Sequence, residues 1–474
     1  MRALIPALPR SAWTVLAADT FSAVGTGLTL PFLIVYLHTV HGFALGPVGL
    51  VAATVALAGL AGNPLGGWLA DRAGPRTALI TGLVIAAAGA LALSGVSHLW
   101  QAFAAAAVSG LGVATAWPAQ DALLASLVRP AARSGAFTLR HATLNVGLGS
   151  GGLLAALIVD TADPSSFTTL YLLDAASFVL AIPLLLGRSV AGPADAESGS
   201  GRPTHKGSDA LPQPTHEGSD ALPQPTHQGS DALPQPTYGG HDAPSTHRDG
   251  YAKVLGDARF RRLWLLLALL IAVGYGQFNE VFPAHLVQPG GPGARIVAVM
   301  GIANTITVVL AQLLTARLLT GHRRTRGLML LCGLWALSWI LVWLDGLGAG
   351  LVGAGMAVVV AVVFGIGETL LAPTAPAITN DIAPEALRGR YNGGMTLAYT
   401  TGFLAGPAVG GFALAGLGSS WFAVVAVLCG AGVLLALRLE RGLPLAANGL
   451  PAPEELSRTA ARTAVPAGRT GSSP

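Results

Sequence analysis

Apolar residues fall in runs of about 20 or more, the length an α-helix needs to cross roughly 30 Å of hydrocarbon. The runs are separated by short polar, Gly- or Pro-bearing turns. They cover 12–37, 47–69, 76–96, 99–124, 136–159 and 168–187, then 262–287, 295–317, 327–345, 349–374, 391–415 and 420–438. Twelve membrane-spanning helices in two sets of six are expected. The first run, Trp13 to Leu37, follows Arg2 and Arg10. It is too long for the apolar region of a signal peptide, about 7–15 residues, and no small-residue cleavage site follows it. It reads as a first transmembrane helix.

The pattern breaks at 189–250. An 11-residue unit repeats there: PTHKGSDALPQ from Pro203, PTHEGSDALPQ from Pro214 and PTHQGSDALPQ from Pro225, with a partial copy at Pro236. Such a segment buries too little apolar surface to fold by itself. His205, His216 and His227 recur in it, so metal binding and a plain flexible linker are both open, the linker being the simpler reading. The expected organisation is an N-terminal six-helix half (1–188), a largely disordered linker (189–261), a C-terminal six-helix half (262–440) and a disordered tail (441–474).

Composition agrees. Of 474 residues, 52% are apolar and 11% charged, against about 25% charged in an ordinary soluble domain. Mean hydropathy is +0.60. A water-soluble globule, a disordered chain and a disulfide scaffold are excluded as global classes. The cations are almost all Arg, with Lys206 and Lys253 the exceptions, which points to a GC-rich bacterial genome. Their placement is topological. Arg72, Arg76, Arg129, Arg133, Arg323, Arg324, Arg326, Arg388, Arg390, the linker and the tail all fall on one side if both termini are cytoplasmic. Only Arg295 borders an outer loop. This positive-inside bias predicts cytoplasmic N- and C-termini in a bacterial plasma membrane. The positive charge therefore does not indicate nucleic acid. Cys332 and Cys429 lie in apolar runs without metal spacing.

The halves also align with each other. An offset of 255 residues brings Gly110-Leu111-Gly112 onto Gly365-Ile366-Gly367, Pro118 onto Pro373, Arg133 onto Arg388, Gly147 onto Gly402 and Gly151 onto Gly406. Two homologous halves in parallel orientation suggest a transporter with its site between them.

Between the second and third runs stands Gly67-Trp68-Leu69-Ala70-Asp71-Arg72-Ala73-Gly74-Pro75-Arg76. With twelve spans, two halves and a long central linker, it resembles the loop signature of the major facilitator superfamily, GxLaDRxGRR. Physically, Gly67 lets helix ends approach, Gly74 permits a tight turn, and Arg72 and Arg76 hold the inner face. The resemblance implies an all-α integral membrane protein of two pseudo-symmetric six-helix bundles. It also implies a cytoplasmic gate formed by Gly67, Asp71, Arg72, Gly74, Arg76 and Asp121, with Arg388 as partner. Pro75 stands where the signature has its first paired Arg, and Arg76 is the candidate to replace it. A second motif, Gly402-xxx-Gly406-Pro407-xx-Gly410-Gly411, is similar to the antiporter glycine motif of helix five but lies in helix eleven. It allows close helix contact and a kink. Helix four has no cation from Phe103 to Ser109, where drug exporters often carry an arginine.

Charge within a membrane costs about 2.5–3.5 kcal/mol on insertion scales and marks either a function or a buried pair. Asp19 lies roughly 10 Å into the first helix at 1.5 Å per residue. It fits a proton-exchanging carboxylate or a structural hydrogen bond. Glu368 follows Gly365-Ile366-Gly367 and fits coupling, or pairing with an Arg near the inner face. Glu280 follows Tyr275-Gly276-Gln277-Phe278-Asn279. It can share a face with Gln277, and simple solvation near the outer surface fits it equally well. Arg140 and Asn145 open helix five. Arg140 can bind an anionic substrate group, or hold Asp121 or another carboxylate. Asp174 reads as interfacial, and Trp13 and Trp117 as belt or packing residues.

Neither lysine follows GxxxxG, so the chain carries no Walker A motor. No clustered catalytic residues, metal site or cofactor motif is found, and no enzymatic role is expected. The resemblance is to the bacterial drug:proton antiporter branch. It implies proton-coupled efflux of a small hydrophobic drug or metabolite by a monomer in the lipid bilayer, with protons and the small-molecule substrate as its partners. A proton-driven importer, a dedicated sugar or metabolite exporter, and a non-transporting membrane sensor or scaffold stay open beside it.

Overall fold

The computed structural model describes residues 8–129, 133–160, 163–187, 253–319, 321–345, 350–384 and 387–450. Twelve helices run through it. In the first half they are α1 (Arg10–Val40), α2 (Leu45–Ala73), α3 (Pro75–Ser94), α4 (Leu99–Leu127), α5 (Arg133–Ile158) and α6 (Pro164–Leu186). In the second they are α7 (Ala258–Leu286), α8 (Ala294–Leu319), α9 (Arg324–Asp345), α10 (Gly350–Ile382), α11 (Arg388–Leu417) and α12 (Ser420–Glu440). Eleven are long and apolar enough to cross a bilayer. Among the described residues of α5 the apolar stretch is Ala142–Ile158.

The two halves pack alike. Five pairings in the first, α1–α5, α1–α6, α2–α4, α3–α4 and α3–α6, have their counterparts in α7–α11, α7–α12, α8–α10, α9–α10 and α9–α12. The joints between halves, α2–α11 and α5–α8, are related by the same symmetry. Irregularity is shared too. α1 passes through a 3-10 turn at Leu30–Phe32, where Pro31 cannot donate, and a π-turn at Tyr36–Val40. α7 has a π-turn at Gln277–Val281.

Every helix starts or ends at one of two faces, one rich in arginine and one poor. At the arginine-poor end the halves share a continuous apolar core that takes in Phe32, Tyr36, Val48 and Phe167 from the first and Phe278, Phe282 and Trp421 from the second. At the arginine-rich end the core breaks up. Ala78, Leu123 and Leu185 form one cluster and Ala12, Leu16 and Leu124 another. Val254, Phe260 and Tyr391 form a third, confined to the second half. The apolar core that joins the halves lies toward the arginine-poor end, whereas the separate clusters at the arginine-rich end each stay within one half.

Two of the expected domain boundaries move. α7 begins at Ala258, four residues before the expected 262, with Asp257 capping it by accepting from the Arg259 N–H at 2.8 Å. Residues 441–450, expected within a disordered tail, are placed against α9. There Asn448 is buried, its Oδ1 accepts from the Thr325 N–H and its carbonyl from the Arg324 N–H, each at 3.0 Å. The histidine repeats and 451–474 lie outside the described residues.

Candidate functional site: two polar centres, one in each half

In the first half, α1, α4 and α5 bring three charges together. Arg140 Nη1 donates to Asp121 Oδ1 at 2.8 Å, and Arg140 Nε lies 3.2 Å from Asp19 Oδ2. Neither atom of the second pair has a partner at hydrogen-bonding geometry, so that contact is Coulombic rather than directed. Gln120 joins both: its Oε1 accepts from Arg140 Nη2 at 3.2 Å, and its side chain hydrogen-bonds Asp19. The network is graded in exposure, with side chains at 5% for Asp19, 14% for Arg140 and 50% for Asp121. It reaches solvent through Asp121, near the arginine-rich end of α4 at Leu127. α5 can approach α1 this closely because Gly147 lies on Thr20 and Ala23, and Gly151 on Val24 and Gly27, with no room for a Cβ. Arg140 thus takes the paired role left open above. Asn145 sits five residues further along α5, half-buried.

In the second half the centre is Glu368 on α10. Asn304 Nδ2, on α8, donates to Glu368 Oε2 at 3.3 Å, and the Tyr275 hydroxyl on α7 hydrogen-bonds the same carboxyl. Gly365 leaves the space that Asn304 occupies, and Gly367 the space for Trp335, whose Nε1 donates to the Phe364 carbonyl at 3.0 Å. Trp335 stacks on Phe364 at 4.6 Å between ring centres, Phe278 covers the other side at 4.2 Å, and Tyr275 meets the group edge-on. No arginine near the inner face pairs with Glu368: among the described residues none of the four ion pairs includes it.

Other expected residues do different work. Gln277 is saturated by packing bonds. Its Nε2 donates to the Ala272 and Gly406 carbonyls, each at 3.0 Å, and its Oε1 accepts from Trp421 Nε1 at 2.8 Å. It pins the π-turn of α7 to α11 and α12, leaving no polar atom for a coupling or substrate role. Glu280 is half-buried, and its Oε2 is buried without a hydrogen-bond partner. Asp174 is not interfacial: it is buried, and its Oδ2 accepts from Thr29 Oγ1 at 2.9 Å.

The gate residues do not meet across the halves. Asp71, Arg72 and Arg388 are exposed. Arg72 lies over Trp68, 5.6 Å from the ring centre. Arg76 donates from Nε to the Leu185 carbonyl at 2.7 Å, holding α3 to the end of α6 in its own half. Asp121 pairs with Arg140 rather than Arg388. Gly74 makes the expected turn, with φ of +87°. Gly67 faces open space, and the close approach belongs to its neighbour: Gly66 lies against the Thr115 carbonyl of α4.

The glycine motif of α11 has two faces. Gly402, Gly406 and Gly410 pack on α7, at Ile271, Gly276 and Gln277. Gly411 and Pro407 pack on Leu45 and Gly49 of α2, in the other half. Backbone meets backbone there, which forms the seal at the arginine-poor end. Among the described residues no group of three His, Cys, Asp or Glu side chains could hold a metal ion.

Gln120, Asn304, Thr29 and Tyr171 were missed in the sequence. For Gln120 and Tyr171 the available signal was a polar side chain one turn or less from a charge, Asp121 and Asp174; Asn304 and Thr29 stand far from any charge along the chain and carried no such signal.

The model of the Major Facilitator Superfamily matches residues 15–360 and 291–467. The MFS-type transporter YqjV of Bacillus subtilis is 25% identical over 412 residues, covering 85% of this chain and 86% of that protein. A Na(+), Li(+), K(+)/H(+) antiporter of Planococcus maritimus is 26% identical over 154 residues, 31% of this chain and 36% of its own length. Among solved structures, the nucleoside transporter NupG superposes with a TM-score of 0.66 at 14% identity, over 91% of this chain and 98% of its own. The family model covers most of this chain, and its twelve helices in two matching halves superpose on a solved transporter: the protein belongs to the Major Facilitator Superfamily of membrane transporters, and it is not an enzyme.

Proposed function

We propose that the protein is a proton-coupled exporter of a small, largely hydrophobic molecule, working as a monomer in a bacterial plasma membrane with both termini cytoplasmic. On that orientation the arginine-rich end faces the cytoplasm, and the half-exposed Asp121 gives protons a route into the network.

The observation that carries this reading is one guanidinium held between two carboxylates. Fully ionised, Asp19, Arg140 and Asp121 sum to one negative charge; with one proton bound they are neutral. Enclosing a net charge away from water costs several kcal/mol. The network therefore keeps one proton while water is excluded and releases it when water enters. A change of access then moves one proton, which is the requirement for coupling. Similarity to the Na(+), Li(+), K(+)/H(+) antiporter of Planococcus maritimus supports exchange against protons. Glu368, Asn304 and Tyr275, set among stacked aromatic rings, are assigned to the substrate: a few polar groups in an apolar wall suit a hydrophobic molecule with one or two polar atoms.

The test is efflux against a concentration gradient. An efflux-deficient bacterium expressing wild type or Asp19→Asn is scored on a panel of toxic compounds, and the hits are followed in vesicles with an imposed pH gradient. Resistance and uphill transport are expected in wild type and absent in Asp19→Asn at equal membrane level. Unchanged uphill transport in that variant refutes the coupling role. Deleting 200–245 should leave flux intact; loss of flux would instead support a sensor or scaffold in which the linker is the output.

A further inference from the structure

Away from both centres, a third polar group sits where the halves are sealed. Tyr171 of α6 is 2% exposed and its hydroxyl has no hydrogen-bond partner among the described residues. Asp174, one turn along, is 6% exposed. Its Oδ2 is held by Thr29, while its Oδ1 is buried and unpartnered. Glu280 enters from α7 of the other half with a buried, unpartnered Oε2. Tyr171 lies within electrostatic range of both carboxyls and of Tyr36, whose ring is 5.0 Å away. Gly25 of α1 admits Asp174: a Cβ there would stand 2.7 Å from its Oδ1.

Buried polar atoms are almost always satisfied, and each exception needs a cause. Three exceptions here are drawn from both halves. None of the four ion pairs among the described residues includes Asp174 or Glu280. The titratable groups facing them are Tyr36 and Tyr171, with His41 edge-on to Tyr36 at 4.6 Å, and none of these is a fixed cation. His285 lies further along α7, packed against Phe422, and Arg295 at the same end is exposed. A carboxylate kept from water without a cation is costly, whereas a carboxylic acid or a hydrated carboxylate is not.

We propose that Asp174 and Glu280, with the unpartnered Tyr171 hydroxyl beside them, are a second proton-binding site of the transport cycle, which holds the arginine-poor end shut while protonated and releases it when ionised. The site rests on the ion-coupled reading above but lies apart from Asp19 and Arg140. It places proton exchange at both ends of the molecule. The sign follows directly: the sealed form holds the protons, so low pH favours the seal and high pH favours opening.

The experiment reads opening directly. Ala53 is buried and lies on the face of α2 that carries Gly46 and Gly49, one turn further along. Ala53→Cys in the full chain, reconstituted in liposomes, is labelled with a membrane-impermeant maleimide from pH 5.5 to 8.5. Rates are normalised to Ser97→Cys, an exposed position at the same end. The native Cys332 and Cys429 are fully buried and give the blank. Normalised labelling is expected to rise about tenfold across this range, and to stay low and flat with Asp174→Asn and Glu280→Gln together. Should the pair impair folding, Tyr171→Phe, which removes only the buried polar hydroxyl beside the two carboxyls, should displace the pH midpoint. A flat wild-type profile overturns the proposal, as does a wild-type profile in the double variant or an unmoved midpoint in Tyr171→Phe. The coupling reading fails separately, through uphill transport that survives Asp19→Asn.

Discussion

Asp19 and Glu368 are both carboxyls on helices near the centre of the molecule, and the two halves treat them differently. Asp19 sits beside a guanidinium that a second carboxylate also claims. Glu368 has two neutral donors, Asn304 and Tyr275, in an aromatic setting. The offset that superposes α4 and α5 on α10 and α11 shows how this arose along the chain: Asp121 falls on Pro376, Arg140 on Met395, and Glu368 on Val113. Each half carries at these positions what the other lacks. α7 has no acidic residue before Glu280, so no counterpart of Asp19 stands in its first turns. A shared scaffold thus carries a charge-balancing centre in one half and a hydrogen-bonding centre in the other.

The largest effect expected from breaking this contrast is at Arg140. Arg140→Met strands Asp19, buried at 5% exposure, without its cation. Removing one partner of a buried ion pair costs about 3–5 kcal/mol. Thermal unfolding in detergent should show a correspondingly lower midpoint, and Asp19→Asn added to Arg140→Met should recover most of it. A double variant no more stable than Arg140→Met alone would show that the pair is not what Arg140 satisfies.

Much of the fold could be read before the structure, because a membrane span is a matter of length and hydropathy, and both are local. Pairing across helices was partly open: Arg140 near Asp121 or another carboxylate was one of two choices, and both carboxylates turned out to be engaged. Depth was harder. The sixth run was begun at 168, but α6 starts at Pro164, with Asp163 capping it. That places Asp174 one turn deeper than an interfacial residue. Asp163 itself is exposed, and the Ser165 hydroxyl and N–H hold its carboxyl below the usual range. Which glycine touches a neighbour depends on rotation by one residue, about 100°, so Gly67 was expected where Gly66 stands. The gate was not legible at all, since whether Asp71 and Arg388 meet depends on which end is open.

A smaller effect compares the two joints between halves. At α2–α11, a Cβ on Gly411 would stand 2.6 Å from the Leu45 carbonyl oxygen, and one on Gly49 2.3 Å from the Pro407 carbonyl oxygen. At α5–α8, a Cβ on Gly149 would stand 2.9 Å from a methyl of Thr305. Backbone cannot turn aside, whereas a side chain can. Gly411→Ala should cost about 1–3 kcal/mol, the range for overpacking. It should also loosen the seal, raising labelling of Ala53→Cys. Gly149→Ala should cost less and leave that labelling unchanged. Equal losses in the two variants would remove the distinction between a backbone-on-backbone seal and a side-chain joint.

The smallest effect is the one that sharpens the comparison most. Glutamine reproduces the shape of glutamate and keeps a carbonyl oxygen for both donors, so Glu368→Gln should retain the bonds from Asn304 and Tyr275. Swapping one neutral hydrogen-bonded arrangement for another should change stability by under about 1 kcal/mol, and the rate of pH-driven transport by no more than about twofold. Asp19→Asn, an equally conservative change in shape, should abolish that transport, because the net charge of its network is what an added proton balances. The two isosteric substitutions therefore separate charge balance from hydrogen bonding, measured in the same vesicles under the same pH gradient. If Glu368→Gln also abolished uphill transport, the proton would have to pass through the second half as well, and the division between a coupling half and a substrate half would fall.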